Sequence, residues 1–325
     1  MKHLNSFGAI GVDLGGTNLK LALLDSDNQI VERLSIPTGG ADGHDAVIER
    51  IQDGVQSLRV RQPELEIAGV GVGVPGMVDM ATGVTGDLPN LPGRWTNVPV
   101  GERLKVACQL PVGLINDGKA FALAEQRVGA AKGADTALLA TVGTGIGGAI
   151  IAHGQLLYGV GGAAGEVGHL IVQPSGPRCS CGNFGCVETL ASGPAIVTEA
   201  VRRIVQGFAT SLSSLCGGEL GAITPELVAT AADQGDAVAQ EVMRDAGRWL
   251  GVGLAGGIAL IAPEVVVIGG GVAPAGSRYA RAAEEFARTH SGVTEIDKVV
   301  FRPAVLGYDA GVIGAALWGR EFAAS

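Results

Sequence analysis

Residues 8–25 of the chain read GAIGVDLGGTNLKLALLD, and this stretch decides the fold class. Two apolar runs flank the pair Gly15 and Gly16, which is the pattern of two β-strands joined by a tight turn. The pattern returns at 136–152, TALLATVGTGIGGAIIA, where glycines again occupy the turn. The two hairpins indicate a weak internal duplication, with one turn of small residues in each half.

Helical and strand patterns alternate on both sides of the second hairpin. The strand candidates IAGVGVGVPG and PVGLIND follow the first hairpin, and EVVVIGGG follows the second. The predicted helices are 42–58, 99–109, 120–128, 192–205, 225–233, 236–261, 278–289 and 309–322. Strands that alternate with helices in each half predict an α/β fold of two similar domains.

The duplication also predicts how the chain divides. The first domain is expected to cover 1–118 and the second 119–308, and the segment 309–325 is expected to pack back on the first domain. No linker is low in complexity, so the sequence predicts a packed cleft between the two domains. The turn-rich segment 77–95 is expected to form a lid or a hairpin.

Composition and charge exclude several classes of protein. Of the 325 residues, 47% are apolar, which argues against disorder. The formal net charge of −9 does not suit a nucleic-acid surface or a polybasic membrane patch, since both need clustered Lys and Arg. Neither a signal peptide nor a membrane span is indicated, so we expect a cytoplasmic protein. The five cysteines are an odd number, which argues against a disulfide scaffold.

The two glycine turns are candidates for phosphate binding, because small residues in a tight turn expose backbone N–H groups to phosphate oxygens. The candidate residues are Asp13, Gly15, Gly16, Thr17 and Asn18 in the first turn and Thr141, Gly143, Thr144 and Gly145 in the second. The carboxylate of Asp13 could also hold Mg²⁺ through water. An ordinary hairpin turn is the alternative for each, but a pair of such turns is more specific than either alone.

Two further strand ends carry groups that suit a ligand. Asn116 and Asp117 end the strand PVGLIND at the edge where α/β folds place ligands, although the pair could simply cap the next helix. The strand EVVVIGGG ends in Gly269, Gly270 and Gly271. A flat ring could lie against this backbone, or the strand could merely run into a loop.

Three of the five cysteines lie within eight positions, close to a histidine. Cys179, Cys181 and Cys186 follow the pair Glu166 and His169. Three thiolates and one imidazole are a common closed set for structural zinc, and the alternative is a group of unrelated buried thiols. A site with four protein ligands has no open position for water, so such a zinc would shape its surroundings and not perform hydrolysis.

Together these segments resemble the ROK family of sugar kinases and repressors, within the ribonuclease-H-like, actin–hexokinase ATPase fold. DLGGTN and VGTGIGG resemble the two phosphate loops of the family, IGGG its adenosine-side motif, and IND the segment of the catalytic aspartate, here Asp117. The most specific match is GEVGH with CSCGNFGCVE, which resembles the ROK signature and its zinc site. The resemblance covers essentially the whole chain.

The resemblance implies an enzyme that transfers phosphate from ATP to the 6-hydroxyl of a hexose, with Mg²⁺ and a structural Zn²⁺ as further cofactors. Asp117 would accept the proton of the attacking hydroxyl. Glucose is the expected hexose, and fructose, N-acetylglucosamine or N-acetylmannosamine are the alternatives. The resemblance also implies a homodimer or a homotetramer.

The family further implies a role for individual residues. The residues implied to contact the sugar are Gly76, Asn90, Asn116, Asp117, Glu166, His169 and Glu188. The implied zinc ligands are His169, Cys179, Cys181 and Cys186. The two glycine turns and the three glycines 269–271 would hold the nucleotide. A side chain at Gly145 is therefore expected to impair nucleotide binding and to leave sugar affinity nearly unchanged.

Three other functions are compatible with parts of this pattern. The repressors of the family carry a helix-turn-helix before the first glycine turn, whereas twelve residues precede Asp13 here, so we expect no nucleic-acid partner. A sugar sensor without catalysis would need Asp117 or a glycine turn to be degraded, and neither is. The zinc and sugar motifs argue against an actin-like filament ATPase.

Overall fold

The computed structural model describes residues 7–88, 91–274 and 276–325. The strands are β1 (Gly8–Leu14), β2 (Asn18–Leu24), β3 (Ile30–Pro37), β4 (Ile67–Val74), β5 (Val78–Asp79), β6 (Val84–Thr85), β7 (Val112–Asn116), β8 (Ala137–Val142), β9 (Ile146–Ala152), β10 (Gln155–Leu156), β11 (Val265–Gly269) and β12 (Val300–Pro303). The helices are α1 (His44–Arg61), α2 (Val100–Cys108), α3 (Asp117–Arg127), α4 (Val187–Ala191), α5 (Gly193–Val205), α6 (Leu212–Leu215), α7 (Pro225–Asp233), α8 (Ala237–Ile261), α9 (Arg278–Thr289) and α10 (Ala310–Ala323).

The chain divides into two units, each with its own sheet and core. Among the residues that the structure describes, the first unit comprises those within 1–132, 156–164 and 306–325, and the second comprises those within 133–155 and 165–305. The sequence placed the boundary at Gly118, whereas the first unit extends to Lys132. The reason is that α3 packs closely against α10 within the first unit, so the chain leaves that unit only after α3.

A five-stranded sheet in the order β3-β2-β1-β4-β7 forms the centre of the first unit. β2 pairs antiparallel with both β1 and β3, whereas β4 pairs parallel with β1 and β7. The second unit has a sheet in the order β10-β9-β8-β11-β12, with β8 antiparallel to β9 and parallel to β11. The two sheets thus share one strand order, which confirms the α/β class and the duplication predicted from the two hairpins.

Alternating glycine and valine in β4 explains how the first sheet is covered. Val70 and Val72 are fully buried in a core that also contains the apolar face of α1. On the other face a Cβ at Gly71 would lie 1.7 Å from the carbonyl oxygen of Ala315 in α10. Glycine on this face therefore lets α10 pack directly on the strand backbone, and part of the high glycine content serves helix packing.

The long apolar stretch near residue 250 is the core helix of the second unit. α8 spans 25 residues and packs against α4, α5, α7 and α9. Leu250, Leu254 and Ile258 are fully buried along it. Within the described part of the chain, no helix has the length and apolar character needed to cross a membrane.

Other short elements depart from the predicted pattern or refine it. The turn-rich segment 77–95 was predicted to form a lid or a hairpin, and it contains the two-stranded hairpin β5–β6. The helices α4 and α6 have five and four residues, and neither was predicted. Helices this short contain too little of a 3.6-residue repeat to produce a visible pattern.

The contacts of α10 predict opposite effects for two glycine-to-alanine substitutions. A Cβ at Gly314 would lie 1.7 Å from the carbonyl oxygen of Ala120 in α3, so Gly314→Ala should destabilise the protein by about 1–3 kcal/mol. Gly256 is an exposed residue of α8 with no described atom within 4 Å of a Cβ, so Gly256→Ala should stabilise by about 0.4–1 kcal/mol. Thermal unfolding measures both, and a rise in Tm for Gly314→Ala would contradict this packing.

Candidate functional site

The first glycine turn connects β1 to β2 at the carboxyl end of β1. The amide of Gly15 donates to the carbonyl oxygen of Asn18 at 3.1 Å, and Gly16 and Thr17 are exposed at the tip. Thr38, which is fully buried, donates from Oγ1 to the carbonyl oxygen of Gly15 at 2.6 Å. The hydrogen bond from Thr38 thus holds the turn in place. The exposed tip consists of the small residues Gly16 and Thr17, as a phosphate-binding turn requires.

Asp13 lies directly before this turn, beside a lysine. Lys20 Nζ is 3.5 Å from Asp13 Oδ2 and 3.3 Å from the centre of the Tyr308 ring. Burial raises the pKa of Asp13, and the ammonium of Lys20 opposes that shift. A Cβ at Gly311 would lie 3.1 Å from Asp13 Oδ2, so α10 also comes close to this carboxylate.

Asn116 and Asp117 stand at the end of β7, two strands from β1 in the same sheet. The side chain of Asn116 caps α3, since Oδ1 accepts from the amide of Lys119 at 3.2 Å. Its Nδ2 donates to the carbonyl oxygen of Gly76 at 3.0 Å. Asp117 is exposed, and its Oδ1 accepts from the amide of Gly118 at 2.7 Å. Capping is therefore done by Asn116, and Asp117 is left exposed just after the carboxyl end of β7.

The first unit thus brings most of its predicted residues to one edge. β1, β4 and β7 are parallel, and Asp13, Gly76 and Asn116 lie at or just after their carboxyl ends. Gly76 has a φ of 85°, which an L side chain rarely adopts. Asn90, the remaining predicted sugar contact of this half, lies outside the described residues.

The second glycine turn has the same position in the second unit. The amide of Gly143 donates to the carbonyl oxygen of Gly145 at 2.9 Å, which closes the turn between β8 and β9. The amide of Gly193, the first residue of α5, donates to the carbonyl oxygen of Gly143 at 2.9 Å. A Cβ at Gly143 would meet no described atom within 4 Å, so this position faces open space.

Glu188 joins the glycine turn to the segment that follows the cysteines. Its Oε2 accepts from the amide of Ile146 at 2.9 Å, and a Cβ at Gly145 would lie 2.6 Å from the same oxygen. Gly168, next to His169, approaches the backbone of Ile146 closely. A Cβ at Gly168 would lie 2.1 Å from the carbonyl oxygen of Ile146. The turn and the predicted sugar contacts Glu188 and His169 therefore share one small region.

This geometry leads us to revise one expectation from the sequence. A side chain at Gly145 was expected to affect only nucleotide binding. Because it would displace the carboxylate of Glu188, it would disturb a predicted sugar contact as well. Gly143 is the residue of this turn whose substitution tests phosphate binding alone.

His169, Cys179, Cys181 and Cys186 form a cluster whose ligand atoms all lie within 4.8 Å of one another. Cys181 Sγ is 3.7 Å from Cys186 Sγ, and His169 Nδ1 is 3.6 Å from Cys179 Sγ. Tetrahedral zinc–sulfur bonds of about 2.3 Å place two sulfur atoms roughly 3.8 Å apart. The spacing is far too long for a disulfide and fits four ligands of one metal ion. The cluster could therefore hold a metal, as the sequence predicted.

The loop that carries the cysteines is built on two glycines. Gly182 has a φ of 94° and Gly185 a φ of 66°, and the chain folds back between them so that the amide of Cys179 donates to the carbonyl oxygen of Asn183. Burial, with the neighbouring thiols, raises the pKa of Cys186 to about 12. Without a cation three thiolates would repel each other here, so the cluster suits a divalent metal.

The third glycine segment completes the carboxyl edge of the second sheet. Gly269 pairs with Thr141 in parallel register, and the turn continues through Gly270, whose φ is 94°. A Cβ at Gly270 would lie 2.2 Å from the carbonyl oxygen of Val142, so only glycine fits against the end of β8. The glycines 269–271 and the second glycine turn are thus direct neighbours.

Several residues that hold the site in shape belong to no recognisable sequence motif. Thr38 and Gly193 fix the two turns through backbone contacts, and Lys20 faces Asp13 across the β1–β2 pair. Contacts between residues distant in the chain leave no periodic pattern. Only Lys20 could have been found, since it lies on the same strand pair as Asp13 in a tight hairpin.

Comparison with known proteins defines the class of this fold and site. The model of the ROK family matches residues 9–321. A glucokinase of Halalkalibacterium halodurans is 37% identical over 308 residues, covering 94% of this chain and 92% of that protein. A crystal structure of a ROK family glucokinase from Streptomyces griseus, in complex with glucose and AMPPNP, matches with a TM-score of 0.83 and 32% identity over 97% of this chain and 99% of that chain.

The fold is therefore the actin–hexokinase ATPase fold of the ROK sugar kinases. The chain belongs to the ROK family. A ROK family transcriptional regulator, a homologue of the E. coli MLC protein, has the same fold, with a TM-score of 0.85 and 27% identity over 98% of this chain and 78% of that chain. Because kinases and a regulator share this fold, the residues of the site must decide between the two functions.

Proposed function

We propose that this protein is a sugar kinase that transfers the γ-phosphate of ATP to the 6-hydroxyl of glucose. The observation that carries the proposal is the contact of Glu188 with Ile146, which joins a glycine turn suited to phosphates to residues suited to sugar hydroxyls. Glucokinases among its relatives, and one solved with glucose and AMPPNP, support glucose and ATP as the substrates.

Asp117 is the proposed general base. Phosphoryl transfer depends on positioning and charge stabilisation, and the attacking hydroxyl must lose its proton as it bonds to phosphorus. Asp117 is exposed at the end of β7, and the Asn116 cap fixes the start of α3 beside it. The side chains of Asn116 and Asp117, with Gly76 and Asn90, would bind the hydroxyls at the reacting end of the sugar.

The two glycine turns and the three glycines 269–271 are the proposed nucleotide site. Their backbone amides would donate to phosphate oxygens, and the open space at Gly143 leaves room for that approach. Mg²⁺ is commonly held by one or two carboxylates and the phosphates. Asp13 supplies a carboxylate next to the first turn, and the ion would neutralise charge on the transferring phosphate.

Zinc is the proposed metal of the Cys₃His cluster, since thiolates and imidazole at tetrahedral spacing are its usual ligands. Bound zinc would hold the cysteine loop and the His169 ring in place. His169 uses Nδ1 toward the cluster, so Nε2 would donate to a sugar hydroxyl. Glu166 and Glu188 would bind hydroxyls of the same sugar nearer the anomeric carbon. Other hexoses, and sugar binding without transfer, are the alternatives to this function, and a homodimer or homotetramer stays a prediction.

The role of Asp117 predicts the effect of Asp117→Asn. The amide keeps the oxygen that accepts from Gly118 but cannot take a proton, so kcat should fall by about 10²–10⁴-fold, with the Kd for glucose nearly unchanged. Steady-state assays with ATP and glucose, and calorimetry with glucose, measure the two effects. Asp53→Asn, on the exposed surface of α1, is the control and should leave both values as they are. A variant that retains more than half its kcat would exclude Asp117 as the base.

The metal cluster predicts one zinc ion per chain by elemental analysis. Cys181→Ser should lose this zinc and weaken glucose binding at least about tenfold, because a thiolate ligand is removed and the loop before Glu188 loosens. Cys216→Ser is the matched control, since Cys216 lies outside the cluster and should leave the zinc in place. A metal-free preparation with full activity would remove zinc from the proposed site.

The second glycine turn predicts a contrast between two variants. Gly143→Val adds a side chain to open space and should raise the KM for ATP at least about tenfold, with glucose affinity unchanged. Gly145→Val should weaken glucose binding too, because its side chain meets the carboxylate of Glu188. Calorimetry with glucose in the absence of nucleotide distinguishes the two variants, because only Gly145→Val should lose glucose affinity. Loss of glucose binding in Gly143→Val would show that this turn does not bind phosphates.

A further inference from the structure

Lys20 forms an ion pair with Asp13, the acidic residue just before the first glycine turn. The two residues are direct partners in the antiparallel strands β1 and β2, so their side chains lie on the same face of the sheet. Lys20 Nζ is 3.5 Å from Asp13 Oδ2, and the two side chains are 24% and 23% exposed. Solvent ions screen a partly buried pair less than a surface pair, so Lys20 compensates the charge of Asp13 effectively.

The ring of Tyr308 gives the ammonium group of Lys20 a second partner. Lys20 Nζ is 3.3 Å from the centre of this ring, which is the geometry of a cation–π interaction. The ring attracts the cation and leaves its charge unchanged. The ammonium group can therefore stay beside the glycine turn when another cation takes the carboxylate of Asp13.

The start of α10 adds to the positive surroundings of Asp13. A Cβ at Gly311 would lie 3.1 Å from Asp13 Oδ2, so the carboxylate lies close to the first turn of this helix. The free amides of a helix start favour a nearby negative charge. Asp309, which precedes the helix, forms its own ion pair with Arg33 at 2.9 Å. The first unit thus balances the charge of Asp13 with its own groups.

This balance matters because Asp13 is two positions before Gly15, in the turn proposed to bind phosphates. An uncompensated carboxylate at this place would repel phosphate oxygens. Coulomb's law gives roughly a tenfold change in affinity for one unit charge about 6 Å away at an effective dielectric constant of about 40. Lys20 removes this repulsion without any metal, whereas a bound Mg²⁺ would remove it by neutralising the carboxylate itself.

We propose that Lys20 is the resident counter-ion of Asp13 and sets how strongly nucleotide binding depends on Mg²⁺. The inference rests on the proposed function, because it takes the first turn as a phosphate site and Asp13 as the Mg²⁺ ligand. With Lys20 in place, the turn accepts phosphates with or without the metal, and Tyr308 retains the ammonium group when Asp13 binds Mg²⁺. Lys20 is a positioning residue, since it acts through Asp13.

The test compares nucleotide affinity with and without the metal. Calorimetry measures the Kd for AMPPNP in the absence of sugar, once with Mg²⁺ and once in magnesium-free buffer. No chelator is added, because it would also compete for a metal of the cysteine cluster. In Lys20→Met, which keeps the aliphatic stem, the metal-free Kd should rise at least about tenfold, and the Kd with Mg²⁺ should change less than about threefold.

Two control variants show whether the effect belongs to the charge at this place. Lys20→Arg keeps the positive charge beside Asp13 and should give wild-type values under both conditions. Lys105→Met removes one positive charge from the exposed surface of α2 and should also change neither Kd. If Lys20→Met does not fold, Lys20→Gln must show the same selective loss of metal-free binding.

A double-mutant cycle separates action through Asp13 from direct contact with the phosphates. In Asp13→Asn no carboxylate needs a counter-ion, so adding Lys20→Met should not weaken metal-free binding further. An equal loss in both backgrounds would show that Lys20 itself binds the phosphates and would overturn the inference. An unchanged metal-free Kd in Lys20→Met, or an equal loss with and without Mg²⁺, would overturn it as well.

The wild-type protein distinguishes failure of this inference from failure of the proposed function. If the wild-type protein binds AMPPNP only in the presence of Mg²⁺, Lys20 does not have the proposed role. If it binds AMPPNP under neither condition, the nucleotide site and the proposed function are refuted. The measurement needs no phosphate transfer, so it reports on Lys20 whichever hexose is the acceptor.

Discussion

The hydrogen bond from the amide of Ile146 to the carboxylate of Glu188 is the contact on which the site of the second unit depends. Ile146 begins β9 directly after the glycine turn, and Glu188 is the second residue of α4, two positions after Cys186, the last cysteine of the cluster. One 2.9 Å contact therefore links a phosphate-binding candidate to a metal loop more than forty positions away in the sequence. A metal bound by the cluster would hold the loop before Glu188 in place, and with it the partner of the glycine turn.

Close backbone approach through glycine is the second constraint, and it acts in both units. In the first, Gly71 and Gly314 admit α10 to the sheet and to α3, and Gly311 brings the same helix next to Asp13. In the second, Gly270 lets the turn after β11 pack on the end of β8. These positions fix the carboxyl edges of the sheets, where the candidate residues stand, so side chains at these glycines would move the site as well as the core.

Much of this organisation could be predicted from the sequence, for identifiable reasons. The two hairpins predicted the strand pairing because glycine turns between apolar runs are local signals, and α7 and α9 begin and end at the predicted residues. The cysteine cluster was predicted because its ligands are few and closely spaced. The domain boundary differed because the packing of α3 on α10 joins distant segments. The contact of Gly145 with Glu188 was missed for the same reason, and it changed the expected effect of substituting Gly145.

A fold shared by kinases and a regulator makes the residues of the site decisive for function. The candidates in this chain include Asp117, just after β7, and Glu188, beside the second glycine turn.

The most direct measurement is an assay of the purified wild-type protein with ATP, Mg²⁺ and a panel of hexoses, coupled to ADP release, with the product identified by phosphorus NMR. We expect ADP release that depends on the sugar, highest kcat/KM with glucose, and phosphate on the 6-hydroxyl of the product. Absence of ADP release with every hexose, from folded protein that contains its metal and binds glucose, would contradict a kinase and favour a sugar sensor.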